Sequence, residues 1–432
     1  MNRYESYKDT PYLWIGKIPN HWQIQRVKFV CNDIFPGATP STAKKEYWDG
    51  NIPWIPSGCC HDCDVVEAPK YITDLGLQNS STRLIPANTT IIALTGATCS
   101  QLGYLKIEAC ANQSVIAFVE NEKKANSRFL FYALRSARSN ILTNQTGGAQ
   151  AGINMEDCKN IILVFPPLEE QKAIADFLDA KTAELDEEKE NLLKQIELLK
   201  ELKLSTISNT VVSGLNKDVT FVDSKVNEIG FIPKHWSCVR IKRKVRVIRG
   251  GSPRPIEAYL TKGNGYNWIK IGDAIKGSKY ITHTEQKIKE DGLKSTRLVS
   301  KGDLILSNSM SFGQPYILNI DGCIHDGWVA FSHFNGVNKE YLFYTLLSKS
   351  LKSQFEKTVD GSVVSNLNID KIGMSFIPLP PLNEQEEIAS YLDVKATEID
   401  EQIQLQEQQI KLIDELKQSI ISQAVTGKIK VF

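Results

Sequence analysis

The chain has 432 residues, 42% of them hydrophobic, with 51 Lys+Arg against 50 Asp+Glu and a net charge of +1. That length supports several cores in two to four domains. No apolar run is long enough to span a membrane and residues 1–10 do not resemble a signal peptide, so a soluble, cytoplasmic protein is expected, its nine cysteines reduced and not paired as a disulfide framework.

The first ordered segment is Ile15-Gly-Lys-Ile-Pro-Asn-His-Trp22. Residues 23–30 alternate and read as a strand, followed by a Gly-rich turn, Gly37-Ala-Thr-Pro-Ser41. Further strands are expected at 52–55, 90–95 and 115–119, then one helix at 127–137 and a Gly-containing loop at 146–154. Residues 166–214 read as a single helix of about 40 residues, or about 60 Å. Pro-Pro-Leu-x-Glu-Gln is a sound helix start, and no interior Gly or Pro precedes Gly214. Apolar residues Leu178, Leu185, Leu192 and Leu199 recur every seven positions, as in a coiled-coil seam.

Everything then recurs. Ile229-Gly-Phe-Ile-Pro-Lys-His-Trp236 repeats the first segment, and Pro-Pro-Leu-x-Glu-Gln returns at residues 380–385. His21 and His235 are 214 positions apart, as are Gln171 and Gln385. In the second copy the strand falls at 239–247, the turn at Gly250-Gly-Ser-Pro-Arg254, and further strands at 267–270, 303–307 and 329–332. A helix at 339–353 and a loop at 360–368 precede the second long helix, with seam residues Leu392, Ile399, Ile403, Ile410 and Ile413 interrupted by Gln406. The expected fold is α+β: two homologous modules, 1–165 and 215–379, separated by two long antiparallel coiled-coil helices, 166–214 and 380–432. The repeat is pseudo-twofold and near-circular, with the C-terminus near the segment that opens module one.

The net charge conceals a division. Residues 168–203 hold eleven acids against six bases and residues 382–417 ten against three, a total of −12 that leaves +13 for the rest. Basic modules suit a polyanion, most simply nucleic acid, whereas acidic helices suit a protein partner.

Catalytic signatures are lacking. The sequence has no G-x-x-x-x-G-K-[ST] loop, no G-x-G-x-x-G after a strand and no Asn/Asp-Pro-Pro-aromatic motif. Cys59-Cys60-His61-Asp62-Cys63 offers one C-x-x-C pair without the second that zinc requires, so no metal site is assigned. Binding chemistry remains. On an alternating strand Arg240, Lys242, Lys244 and Arg246 share one face, with Arg249 beyond, a row suited to phosphates. Candidates for base edges are Thr39, Ser41, Lys44, Gln101, Asn112, Gln113 and Gln150 in module one. In module two they are Ser252, Arg254, Asn264, Asn308, Ser311, Gln314, His325 and Asp326.

The long helices ending Val-Val-Ser-Gly214 and Ala-Val-Thr-Gly427, the paired Ile-Gly-x-Ile-Pro-x-His-Trp segments, and the Gly-x-Thr/Ser-Pro turns followed by Trp54-Ile55 and Trp268-Ile269 carry a resemblance. Over essentially its whole length the chain resembles the specificity (S) subunit of type I restriction-modification systems. The resemblance implies two target recognition domains, each reading one half of a split, asymmetric site in double-stranded DNA, with the helices as spacer. It implies two docked methyltransferase (M) subunits, with restriction (R) subunits joining them. S-adenosylmethionine would serve adenine-N6 methylation in M, and ATP and Mg would serve cleavage by R. This chain itself would be non-catalytic and hold no cofactor. One departure is that Asn112-Gln113, typical of the family, becomes His325-Asp326 in module two. The competing readings are a free-standing DNA-binding regulator, which leaves the acidic seams unexplained, and a two-headed protein scaffold, which predicts no salt-dependent DNA affinity.

Overall fold

In a computed structural model, which describes residues 3–143, 152–308, 313–357 and 367–431, the two halves of the repeat build one frame with different loops. Contacts divide the chain into Met1–Leu192 with Gln408–Phe432, and Leu193–Glu407. Each unit therefore combines one module with a stretch of both long helices.

In the first unit a five-stranded sheet runs Cys31–Pro36, Val115–Glu120, Thr90–Ala93, Leu102–Leu105, Cys63–Val65, antiparallel except for the last pair. Alternate residues of its central strands enter different cores. Ile92, Ile116 and Phe118 pack with Trp22 and Phe129, while Ile91, Ala93, Val115 and Ala117 pack with Ile55 and Ile85. A smaller sheet joins Cys110–Ala111, Trp48–Ile55 and Lys70–Ile72. The pair Gln23–Arg26 and Ile162–Phe165 delivers the chain to Pro166.

The second unit repeats this order with Arg246–Arg249, Trp328–Ser332, Leu304–Ser307, Pro315–Leu318 and Tyr280–Ile281. Leu304, Leu306, Val329 and Phe331 face one core; Ile305, Trp328 and Ala330 face the other. Its second sheet is larger, with five strands: Leu260–Thr261, Gln286–Ile288, Tyr266–Ile269, Gly322–Ile324 and Arg297–Val299.

Two expectations are corrected. Neither alternating segment is one strand: 3-10 turns at Val27–Phe29 and Ile241–Arg243 interrupt them. Val27 and Val30 are both turned inward, a spacing of three that strand alternation does not give and a helical turn does; Ile241 and Val245 are buried likewise in the second unit. The late helix is also two helices in each module, Ser127–Ser136 with Arg138–Thr143 and Lys339–Leu347 with Lys349–Lys357. At the second break Ser348 is extended (ψ 152°), and its hydroxyl donates back to Thr345 O at 2.6 Å.

The long helices span Leu168–Ser213 and Leu382–Val425. Within the first unit Lys417 pairs with Asp186 at 2.5 Å and Lys189 with Asp414 at 2.7 Å, so numbering rises along one helix as it falls along the other. Within the second unit Lys203 pairs with Asp400 at 2.6 Å, and Gln406 Nε2 donates to Gln195 Oε1 at 2.9 Å. The antiparallel register holds in both units, and the polar break at Gln406 is filled by a partner amide. Asp186–Lys417 and Asp400–Lys203 are each other's repeat.

The seam serves more than helix pairing. Leu178, Leu185 and Ile413 are buried in the first module's core, and Leu392 in the second's; Ile399 is buried, while Leu192, Leu199, Ile403 and Ile410 are half-buried. Ile420, Ile421, Ala424 and Val425 pack with Ile15, Ile18 and Trp22, so the second helix ends inside the first unit, as expected. Gly214 and Gly427 close the helices at φ +73° and +71°, where a Cβ would stand 2.9 Å from Trp236 and 2.4 Å from Pro19. Among the described residues no helix is long and apolar enough to cross a membrane.

Buried amides fasten each module to its helix. Gln171 Nε2 donates to Pro166 O and Lys124 O, and its Oε1 accepts from Asn126 N; Gln385 does the same with Pro380 O, Gly336 O and Asn338 N. Asp179 takes Arg128 Nε and Tyr132 OH, both at 2.6 Å. Asp393 takes Lys279 and Tyr344 OH, so the carboxylate is retained while its cation comes from another element.

Candidate nucleic-acid interface

Strand register gathers the variable loops. In the first unit Ala93 pairs with Val115, Pro36 with Ile116, Ile92 with Leu102, and Ile55 with Ala111. The loops after Pro36, Ile55 and Ala93 and the turn before Val115 thus leave one end of the sheets. In the second unit Arg249 pairs with Val329, Ser307 with Trp328, and Ile269 with Ile324, gathering the corresponding loops.

Close backbone approach fixes these turns. A Cβ on Gly37 would stand 2.2 Å from Ala111 O, and on Gly250 2.1 Å from His325 O, so only glycine lets the two turns meet. Trp54 Nε1 donates to Ala38 O at 3.1 Å and packs edge-on against Trp48 at 5.1 Å. The Thr39 hydroxyl donates to Gln113 Oε1, and Lys44 Nζ donates to Tyr47 OH at 2.9 Å. Ser41 O accepts from Trp48 Nε1, and Asn112 Oδ1 accepts from Ser114 N, so Asn112 shapes its own turn. Gln101 stands at the same end, 3.3 Å from His61 Nδ1. Gln150 lies outside the described residues.

In the second unit Ser252 Oγ donates to Asp326 Oδ1 at 2.7 Å, and Arg249 Nε to Asp326 O at 3.2 Å. Arg254 is largely exposed beside them. Gln314 is held through its backbone N–H to Ser307 Oγ, and Ser311 lies outside the described residues. Asn308 and His325 are placed differently from an exposed reader of bases. Asn308 is buried and donates to Asp326 O, while the His325 ring nitrogens face the N–H groups of Gly327 and Ile271. Burial pushes the His325 pKa below its ordinary value, so the ring is neutral and supports the turn.

The basic row is divided. Arg246 pairs with Ser332 at the far end of the strand from Arg249, and Lys242, Lys244 and Arg246 line a cleft of about 390 Å³ with His333 and Asp370. Arg240 stacks its guanidinium over Phe376. The 3-10 turn breaks the face that a continuous strand would have supplied. Asn264 precedes Tyr266, at the opposite end of that strand from Ile269, and does not join the loop cluster. Lys270 and Gln286 border the loop end and were not singled out by sequence; the position of Lys270, directly after Trp268-Ile269, is the signal that could have found it.

The cysteine loop is structural. Arg138 holds both carboxylate oxygens of Asp62, and Leu102 N donates to it at 3.0 Å. Burial raises the Asp62 pKa, but Arg138 outweighs this and holds it below the usual range; burial pushes the Cys60 thiol up to about 12. Among the described residues no three His, Cys, Asp or Glu side chains converge as metal ligands.

Residues 19–198 and 233–415 match the family described as the type I restriction modification DNA specificity domain. The chain is 25% identical to the type I restriction enzyme MjaVIII specificity subunit of Methanocaldococcus jannaschii over 99% of this chain and 96% of that one. It is 26% identical to that organism's putative MjaX specificity subunit, over 99% and 97%. Among solved structures, a chain from work on complex assembly and conformational transition of the type I R-M system superposes with a TM-score of 0.76 at 19% identity, covering 97% of this chain and all of that one. The HsdS subunit from Thermoanaerobacter tengcongensis gives 0.56 at 21%, covering 97% and 99%.

Proposed function

The chain belongs to the type I restriction modification DNA specificity family, and from that premise we propose that it is the DNA-recognition subunit of a type I restriction-modification complex. Each module reads one half of a bipartite site, and the helices set the unread spacer and dock two methyltransferase subunits. The observation that carries this reading is the duplicated loop end: two copies of one frame present different side chains in the same places.

Direct readout needs donors and acceptors on fixed loops, and phosphate contacts need nearby cations. Thr39, Lys44, Gln101 and Gln113 supply these in the first module; Arg249, Ser252, Arg254 and Asp326 do so in the second. Exposed leucines favour protein partners on the helices. Leu198 and Leu202 recur as Leu412 and Leu416, giving two equivalent apolar patches on otherwise acidic surfaces. Catalysis, with S-adenosylmethionine, ATP and Mg, belongs to the M and R partners, in the cytoplasm.

Methylation mapping tests the proposal. Cells expressing this chain with its cognate M subunit are expected to carry modified adenines in two short blocks around a fixed gap. A continuous motif would limit reading to one module. Absence of chain-dependent methylation beside an active M subunit would remove the proposal.

A further inference from the structure

Thr39 with Gln113 and Ser252 with Asp326 occupy the same place in their respective units. Backbone bonds fix the equivalence. Asn112 N donates to Ile55 O and Val115 N to Asn112 O; His325 N donates to Ile269 O and Trp328 N to His325 O. In each pair a hydroxyl from the glycine turn meets the next side chain along. What changes is hydrogen-bond polarity. Gln113 gives its carbonyl oxygen to Thr39, which leaves its NH₂ to donate. Asp326 has no donor to offer: the Ser252 hydroxyl holds its carboxyl below the usual range, and the ionised group only accepts.

One oxygen of that carboxylate is committed and the other is not. Oδ1 takes Ser252, whereas Oδ2 has Arg254 Nη2 at 3.8 Å, beyond hydrogen-bond reach, on a guanidinium that is 83% exposed. The backbone behind it is clamped, since Asp326 O accepts from Arg249 Nε and Asn308 Nδ2, each at 3.2 Å. Oδ2 thus stands fixed at a cleft of about 790 Å³ bordered by Arg254, Trp268, Lys270 and Gln286. A carboxylate repels a phosphodiester, so the group that it faces on DNA is a base edge. Only the amino groups of cytosine N4 and adenine N6 donate in the major groove.

We propose that Asp326 is a specificity-determining residue of the second module, whose Oδ2 accepts the exocyclic amino group of a cytosine or adenine. Gln113 presents a donor at the equivalent place, so one frame selects base edges of opposite polarity in its two copies. This rests on the DNA-recognition reading above.

The test uses the full chain in complex with its cognate M subunits, bound to duplexes of the mapped site. Each cytosine or adenine is replaced in turn by its amino-deleted analogue, 2-pyrimidinone or purine. One position is expected to lose about ten- to hundredfold in affinity. In D326N, and in D326E, which displaces the carboxylate by one methylene, that loss disappears; in S252A, which keeps the carboxylate, it persists. A wild-type scan without an amino-sensitive position overturns the proposal without any variant. So do sensitive positions none of which is relieved in D326N or D326E. Absence of any bipartite site removes the DNA-recognition reading itself, a separate failure.

Discussion

The indole Nε1 of Trp22 donates to Glu170 Oε2 at 2.9 Å, and Trp236 makes the same bond to Glu384. The other oxygen of each carboxylate faces a histidine, His21 Nε2 at 2.7 Å and His235 Nε2 at 2.8 Å. Glutamate at this place in Pro-Pro-Leu-x-Glu-Gln therefore fastens the Ile-Pro-x-His-Trp segment to the helix, beyond any service to the helix dipole. E170Q puts an N–H donor opposite groups that donate to the carboxylate, Trp22 Nε1 or His21 Nε2, with Tyr4 OH also directed at Oε2 in the first unit. It is expected to destabilise the first unit by about 1–3 kcal/mol, and E384Q the second by as much. Because the two sites share no partner, the effects should add in the double variant, read by denaturant unfolding. An unchanged midpoint in E170Q would show that the carboxylate is dispensable.

A pH dependence follows from His325. Burial lowers its pKa in the folded chain, so the unfolded chain binds the proton more readily. Stability from the neutral ring is fully present above the ordinary histidine value of about 6.5 and declines as pH falls below it. Protection factors of amides in residues 322–332, which allow for the slower intrinsic exchange at lower pH, should fall below that pH in the wild type. In H325N, which installs the first module's residue, that fall should be absent; its persistence would assign it elsewhere.

Salt dependence separates the two groups of cations. R249Q and R254Q, at the loop end, should each lower the slope of log affinity against log salt by about 1. K242Q, K244Q and R246Q, at the other end of the strand, should leave it unchanged. Equal slopes for all five variants would mean that DNA does not meet the loop end.

Removing one heptad from each long helix takes out about 10 Å of helix. Under the spacer reading, the unread gap shortens by about three base pairs while both half-sites keep their sequence. Methylation mapping decides, and altered half-sites would dissociate the helices from spacing.

The repeat, the helix boundaries and the apolar strands were legible because each rests on a local period or an exact internal copy. Leu178 and Leu185 announced a seam by their spacing, yet spacing could not say that the facing surface is a module core. Arg240 to Arg246 reads as one strand face because alternation alone cannot register the 3-10 turn at Ile241–Arg243 that interrupts it. Asn308 and His325 read in the sequence as candidates for base edges, and their place behind the loops depends on strands far away in sequence. Lys270 and Gln286 come together only through the pairing of Trp268 with Gln286. Such cross-strand partners have no signature in a single sequence.

The return of Ile413 to Val425 to the first unit has a consequence for synthesis. Residues 193–407 form a unit that is continuous along the chain, whereas the unit containing the N-terminus is closed by residues 408–432. A ribosome delivers every strand and core residue of the second unit before it delivers Ile420, Ile421, Ala424 and Val425, on which Trp22 is packed. The usual order, N-terminal domain first, is thereby inverted: the first half to be translated is the last to be completed.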